Sequence, residues 1–484
     1  MIWPVALLLF QGEVNDLQQS IRTFAQAYAL IEANAADAVN PYNAMYEAAL
    51  PSLLRRLDPH SVFLSPQQME QLREMERSAA RGFGTIVSVL PGRVIVLQTM
   101  PGAPSARAGI APGDEIVAVN GIRLDMLGME QLVGVLSETR QRVARLDVRR
   151  PGSARLMQFT LTPEELASPS VDRAYWLETG IAYVRATSFD PQTGKEIKSA
   201  IEKMDVARVR GLVLDLRNNG GGVVNSAVET AALFLTPGRK ILTVRGRARQ
   251  LEEVKVPGDG RPFEFPLTVL INEKTASAAE VVAGALQDHD RASIIGTPSF
   301  GKGLVQSVYP LAHGTGMALT TAFYFTPSGR SIQKPLRESQ LDAPRYGNLE
   351  DATEFRTSAG RPVKGGGGIE PDRQALPEHQ TRLRAVLDGS GALTAFATDF
   401  LQKSPTVNRG FQVTDGLLDD LQIYLSQRGI RPPLGEWSVD RDWIRSRTRQ
   451  EIFNQSLGVA LGDEIEAERD PQVRAAVEEL RRRQ

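Results

Sequence analysis

Between about Val171 and Ile332 the chain alternates short apolar runs with segments of helical period, and this rhythm constrains the fold more than any other feature. Ile181–Ala186, Gly211–Leu216 and Leu267–Ile271 read as strands; Lys195–Met204, Ser226–Phe234 and Ser277–Gln287 read as helices. Strands and helices in regular succession bury a sheet beneath helices. The expectation is an α/β domain whose chemistry lies in the loops at its strand ends.

Three of those loops carry candidate chemistry. In Asn272-Glu273-Lys274-Thr275-Ala276-Ser277-Ala278-Ala279-Glu280 a strand-like run gives way to a helical one. Ser277 then sits on a sharp turn beside a helix N-terminus, where developing negative charge is favoured. A serine there also serves as an ordinary N-cap. The second loop, Gly296 to Gln306, holds Lys302 between Gly301 and Gly303. A serine needs a base to become nucleophilic, and lysine serves only when unprotonated. Neutralising a lysine of pKa ~10.4 at pH 7 costs about 4–5 kcal/mol. Burial can lower a lysine by about 3–5 pH units, so Lys302 is expected in an apolar pocket with no carboxylate beside it. A surface lysine in a glycine loop is the alternative.

Histidine, the usual base, is scarce: His60, His289, His313 and His379 are the only four. His289 lies twelve positions along the helix from Ser277, about 18 Å away at the helical rise. The third loop follows Val213-Leu214-Asp215-Leu216-Arg217 and continues Asn218-Asn219-Gly220-Gly221-Gly222-Val223. A strand running into three glycines suits a backbone oxyanion hole, with Gly221 N–H and Ala278 N–H as its donors. A plain turn is the other reading.

Around this core the character of the sequence changes. Residues from about 14 to 80 read as helical, through Leu17, Ile21, Phe24, Tyr28 and Ile31 and then Tyr46, Leu50, Leu53 and Leu54, interrupted at Leu57-Asp58-Pro59-His60-Ser61. From Gly82 to about Pro163 short β-rich runs dominate, Thr85–Leu90, Arg93–Thr99, Ala144–Arg149 and Arg155–Leu161, with Asn120-Gly121 as a hairpin turn and a helix over Gly128–Glu138. After about Gln380 the chain is again helical and rich in charge.

The β-rich unit resembles a PDZ domain, chiefly through Gly82-Phe83-Gly84-Thr85 and the run Ala108-Gly109-Ile110-Ala111-Pro112-Gly113-Asp114-Glu115-Ile116. Such a groove takes an extended peptide as an added strand and captures its terminal carboxylate on backbone N–H groups, here at Phe83, Gly84 and Thr85. Together with Ser277, Lys302 and Gln306 and the Asn219–Gly222 glycines, this resembles the carboxy-terminal processing (tail-specific) peptidases. The interval of 25 positions from Ser277 to Lys302 is as that family places them. The resemblance extends over Thr326-Pro327-Ser328-Gly329-Arg330-Ser331-Ile332 and Gly368-Ile369-Glu370-Pro371-Asp372.

It implies a multidomain α+β chain: an N-terminal helical segment, a PDZ-like module, an α/β serine peptidase core of the ClpP/crotonase kind and a C-terminal helical extension. It also implies a Ser–Lys dyad with Gln306 orienting Lys302, an extracytoplasmic location and no metal or organic cofactor. Gly220 stands where the family commonly has proline, and Ala279 where it often has serine. The expected divisions are an apolar stub or shortened signal over 1–12, helices over 13–80, PDZ over 81–165, peptidase over 166–375 and extension over 376–484.

Composition narrows the alternatives. Lys plus Arg, 56, nearly balances Asp plus Glu, 57, so no nucleic-acid partner is expected; the absence of cysteine removes disulfides and thiol nucleophiles. The apolar run Ile2–Phe10 is too short to span a bilayer and leaves membrane association open. Expected partners are protein or peptide substrates with apolar C-termini, and a second copy of the chain is compatible with the extension. Two rival readings stand beside the peptidase: a silent PDZ scaffold and an acyl-CoA hydratase or hydrolase, which also uses a backbone oxyanion hole.

Overall fold

The computed structural model describes residues 3–76, 79–153, 155–247, 251–336, 354–403 and 406–483. The chain divides into two compact units. In the smaller one, α1 (Trp3–Asn34) begins within the apolar run Ile2–Phe10, whose first residue, Ile2, lies outside the described residues. Leu17, Ile21, Phe24 and Ile31, which set its helical period, are all more than half exposed. No described helix is long and apolar enough to cross a membrane. A π-helical turn over Asn43–Ala49 leads into α2 (Leu50–Leu57).

The break after Leu57 is a built turn. Asp58 Oδ1 accepts from the His60 and Ser61 amides, both at 2.8 Å, and Thr320 N donates to Ser61 Oγ at 3.1 Å. The chain then runs as β1 (Val62–Leu64), antiparallel to residues 316–318, before α3 (Pro66–Glu76). The expected interruption at Leu57–Ser61 is there, and the helical reading of the stretch after it is corrected at β1. A three-residue strand is too short to show a period, and its partner lies some 250 residues away in sequence, a separation no local pattern reports.

In the larger unit, β2 (Ala79–Gly82) pairs with β9 (Glu164–Ala167) at the base of the module. Between them β3 (Thr85–Leu90), β4 (Arg93–Thr99), β5 (Glu115–Val119), β6 (Ile122–Arg123), β7 (Ala144–Arg149) and β8 (Leu156–Leu161) form one antiparallel sheet. The short α4 (Pro104–Ala108) and α5 (Met129–Thr139) complete it. Val94, Val96, Ile116, Leu132, Leu146 and Val148 make its core. The β5–β6 hairpin turns on Asn120 and Gly121, both at positive φ, as the Asn-Gly pair predicts.

The following domain runs through β10 (Val171–Glu178), β11 (Ile181–Ala186), α6 (Thr193–Lys203), β12 (Gly211–Asp215), α7 (Val224–Ala232), β13 (Lys240–Arg245) and β14 (Glu252–Lys255). It continues with β15 (Leu267–Ile271), α8 (Ala278–Asp288) and β16 (Ala292–Gly296), with β17 (Leu304–Pro310) and β18 (Gly316–Phe325), whose residues 306–320 belong to the smaller unit, and then with the two-residue β19 (Phe355–Arg356), β20 (Pro362–Val363) and β21 (Arg373–Gln374). The central sheet has the order β10-β11-β12-β15-β16-β21, antiparallel at its first pair and parallel thereafter. β10 is not among the strands read from the sequence, because Val171-Asp172-Arg173-Ala174-Tyr175-Trp176-Leu177-Glu178 does not alternate strictly between apolar and polar residues.

Parallel strands need cover on both faces. On one, Leu212, Leu214 and Val269 pack with Ile197, Ala231, Val281 and Val282 of α6, α7 and α8. On the other, Tyr183, Val213, Leu270 and Ile295 meet Val473, Ala476 and Leu480. Those last three residues belong to the C-terminal extension: α9 (Arg382–Ser390), α10 (Ala392–Lys403), α11 (Asp415–Gln427), α12 (Leu434–Ser456), α13 (Val459–Arg469) and α14 (Pro471–Arg483). The extension has its own core around Leu393, Phe396, Leu421, Trp443 and Phe453, while α14 supplies the sheet's second layer.

Candidate active site

β15 ends at Ile271, and the chain turns through Thr275 and Ala276 before α8 begins at Ala278. Ser277 takes φ 54° and ψ −117° at that junction. A side chain bearing a β-carbon rarely adopts such a backbone, and it persists only where neighbours over-determine it. Here they do. Ser277 O accepts from Glu280 N at 2.8 Å, Val281 N at 3.0 Å and the buried Tyr324 hydroxyl at 3.1 Å. Ser277 N donates to Glu280 Oε2 at 2.8 Å.

The same oxygen, Glu280 Oε2, accepts from Lys302 N at 2.9 Å, while Oε1 accepts from Gly301 N at 2.7 Å and Ser299 Oγ at 2.5 Å. One fully buried carboxylate therefore joins the serine turn to the lysine loop. Burial raises the Glu280 pKa above its ordinary value, against the pull of these donors. The Ser299 hydroxyl in turn accepts from Ile369 N at 2.6 Å, so the Gly368-Ile369 segment seats the lysine loop from behind. Lys302 itself is half-buried. Glu280 meets Lys302 at its backbone amide, where the glycine-flanked loop needs an acceptor for two inward N–H groups.

The oxyanion candidates are fastened to the same place. Ala276 N donates to Asn219 O at 2.9 Å, Thr275 Oγ1 to Leu216 O at 2.8 Å, and Phe300 N to Thr275 O at 2.9 Å. A β-carbon on Gly221, at φ 94°, would lie 2.7 Å from Ala276 O, 2.8 Å from Ser277 Cβ and 2.9 Å from Ala278 N. Only glycine permits that approach. Gly221 N–H, however, donates to Asn219 Oδ1 at 2.9 Å. The expected open donor is thus engaged by its neighbour's amide, a short-range contact that a glycine count does not reveal. A β-carbon at Gly220 would meet nothing within 4 Å, so the departure from proline costs no packing there. Ala279, in place of serine, is fully buried in α8.

Gln306 belongs to the smaller unit, where its side-chain amide donates to His60 O at 2.6 Å. His289 caps the end of α8, with its ring nitrogens on Ser358 Oγ and Lys240 O.

In the PDZ-like module, Phe83, Gly84 and Thr85 border a groove of about 300 Å³ with Val87, Ile116 and Leu146. Ser105 N and Met100 N hold the Phe83 and Gly84 carbonyls at 3.0 and 2.8 Å. Gly84 has φ 70°, and a β-carbon there would overlap Ala103 Cβ at 2.3 Å. Arg140, at the end of α5, also lines the groove, and its buried Nε has no hydrogen-bond partner among the described residues.

Sequence reasoning passed over Glu280 and Arg330 as site-building residues. Arg330, fully buried, donates to Asp288 Oδ1 at 2.8 Å and Gln287 Oε1 at 2.7 Å, tying the Thr326–Ile332 segment to the end of α8. A charged residue inside two quoted motifs was the available signal.

Residues 180–338 match the peptidase family S41, and residues 95–150 match the PDZ domain. A carboxy-terminal-processing protease of Bartonella bacilliformis is 34% identical over 296 residues, covering 60% of this chain and 67% of its own. Carboxyl-terminal-processing proteases of Synechocystis sp. and Picosynechococcus sp. are 31% and 34% identical, over 59% and 60% of this chain and 68% and 70% of their own. With a PDZ domain set beside a peptidase domain of serine type, the chain belongs to the carboxy-terminal processing proteases.

Proposed function

We propose that this serine peptidase works through a Ser277–Lys302 dyad and docks the C-terminus of its protein substrate on the PDZ module. The observation that carries the reading is the shared Glu280 Oε2, which receives both the Ser277 and the Lys302 amides. Ser277 Oγ adds to the scissile carbonyl while Lys302 Nζ, neutral beforehand, takes the hydroxyl proton. Collapse of the tetrahedral adduct breaks the C–N bond, and the proton passes from Lys302 to the leaving amine. Water then adds to the acyl-enzyme with Lys302 again as base, releasing the new C-terminus and free Ser277.

Ala278 N–H, the first amide of α8, is the oxyanion donor beside the nucleophile, and Gly221 N–H joins it when the Asn219 side chain turns away. The role of orienting Lys302 comes to Gln306 from the family resemblance alone. In the module, the Phe83, Gly84 and Thr85 amides receive the terminal carboxylate and the apolar groove wall takes the last side chain. The working divisions are 13–80, 81–165, 166–375 and 376–484, and the site of action is outside the cytoplasm, as in the resemblance.

The experiment incubates wild type, Ser277→Ala and Lys302→Ala with a protein ending in apolar residues and follows intact mass. Cleavage by wild type alone supports the dyad; equal cleavage by all three removes it. Binding of the substrate tail without cleavage by any of them returns the chain to a scaffold.

A further inference from the structure

The C-terminal extension has no counterpart in the chemistry described above, yet it reaches the oxyanion segment. Arg217 stands in the turn two residues past the end of β12, just before Asn218, Asn219, Gly220 and Gly221. Its Nε and Nη2 lie on the Asp215 carboxylate, with Nη2 at 2.6 Å from Oδ2. Its remaining arm, Nη1, donates to Asp470 Oδ2 at 2.6 Å and Gln472 Oε1 at 2.8 Å, both from the start of α14.

Neither partner is a passing surface contact. Asp470 Oδ1 accepts from Gln472 N at 2.8 Å, capping α14, and Gln472, almost fully buried, donates through Nε2 to Ala375 O at 2.8 Å. Asp470 thus caps the last helix with one oxygen and holds Arg217 with the other. Downstream of Arg217 the turn is set by short links: Arg217 N to Asp215 Oδ1 at 2.9 Å, Asn218 N to Asn272 Oδ1 at 2.9 Å and Asn219 N to Leu216 O at 3.3 Å. Asn219 then places its carbonyl on Ala276 N and its amide oxygen on Gly221 N–H.

We propose that Arg217 is a positioning residue through which the C-terminal helix, by Asp470 and Gln472, sets the Asn219–Gly221 turn against Ser277. The extension is then part of the catalytic apparatus as well as of the sheet's cover. The inference rests on the peptidase reading above. A bidentate guanidinium is suited to this task because its planar fork fixes direction as well as charge, which a lysine does not do.

The test uses the full chain and three variants, Asp470→Asn, Gln472→Ala and Arg217→Lys, with Ser277→Ala as control. Asp470→Asn keeps a good helix cap and removes only the charge facing Arg217. Turnover of a peptide substrate, thermal melting and affinity for a peptide aldehyde that adds to the serine are measured together. The expected result is a fall in kcat of about tenfold to a hundredfold, KM within about twofold, and a matching loss of aldehyde affinity. Melting should stay near wild type for Asp470→Asn.

Lowered melting temperature with unchanged kcat in all three variants would overturn the positioning role and leave a merely structural tie. If Ser277→Ala is inactive while the three variants turn over at the wild-type rate, this inference alone falls. If Ser277→Ala cleaves as wild type does, the peptidase reading falls first and takes this inference with it.

Discussion

Ser277 and Lys302 donate their backbone amides to one and the same atom, Oε2 of Glu280, at 2.8 and 2.9 Å. Two loops far apart in sequence are thereby held to a common point inside the protein. Any slackening of that point moves the candidate nucleophile and its base relative to each other, and geometry on that scale strongly governs rate.

Glu280→Gln is expected to lower turnover by about a hundredfold, because an NH₂ group then faces amides that need an acceptor. Its stability at neutral pH is expected to fall as well, since the single amide oxygen leaves buried donors without an acceptor. Burial raises the folded-state pKa of Glu280 above the unfolded value near 4.5. The folded protein therefore holds the proton more tightly, and stability falls as pH rises from the unfolded pKa through the folded one. Thermal melts across pH 4 to 8 should show this decline in wild type and a flatter profile in Glu280→Gln. An unchanged profile would remove Glu280 as its source.

Asp215 behaves in the reverse sense. Burial opposes its ionisation, yet the Arg217 guanidinium outweighs burial and holds the carboxyl below its ordinary 3.8. Its contribution is present above that unfolded value and is lost as pH falls through the depressed folded one. Asp215→Asn leaves Arg217 short of a partner and should cost about 3–5 kcal/mol at pH 7 by denaturant unfolding. The acid limb of the stability curve below pH 4 should flatten in the variant.

The docking loop gives a contrast that depends on the substrate's terminus. Peptides ending in a free carboxylate should bind wild type more tightly than the same peptides amidated, by fluorescence anisotropy. Gly84→Ala should abolish that difference, since its β-carbon overlaps Ala103 at positive φ. Arg140→Ala should reduce it, through loss of the guanidinium that lines the groove. Equal affinity of wild type for acid and amide would remove carboxylate capture.

Gly221→Ala should leave the protein folded and lower kcat by about 10²–10³-fold, the range for loss of one oxyanion donor. The added methyl has no room beside Ala276 O and Ser277 Cβ, so the turn must move outward. Near-normal kcat with a normal melting curve would place the oxyanion hole elsewhere.

Much of this was legible in the residues themselves. The Val171–Ile332 alternation announces its parallel sheet because buried strands and amphipathic helices carry different periods, and Asn120-Gly121 announces its hairpin because few pairs accept two positive φ values. Ser277 and Lys302 could be named from their motifs. What joins them could not: Glu280 reads as one more helical glutamate until the fold brings Ser299, Gly301 and Lys302 to its carboxylate. The engagement of Gly221 N–H by Asn219 turns on a side-chain rotamer, which no spacing encodes. The extension shows the limit most clearly. Its helices are evident from Leu383, Val386, Leu393 and Phe396, but helical period says only that a face is apolar and not what it covers. That α14 roofs the peptidase sheet with Val473, Ala476 and Leu480, and that Asp470 and Gln472 grip Arg217 across 253 and 255 positions of sequence, was decided by tertiary packing alone.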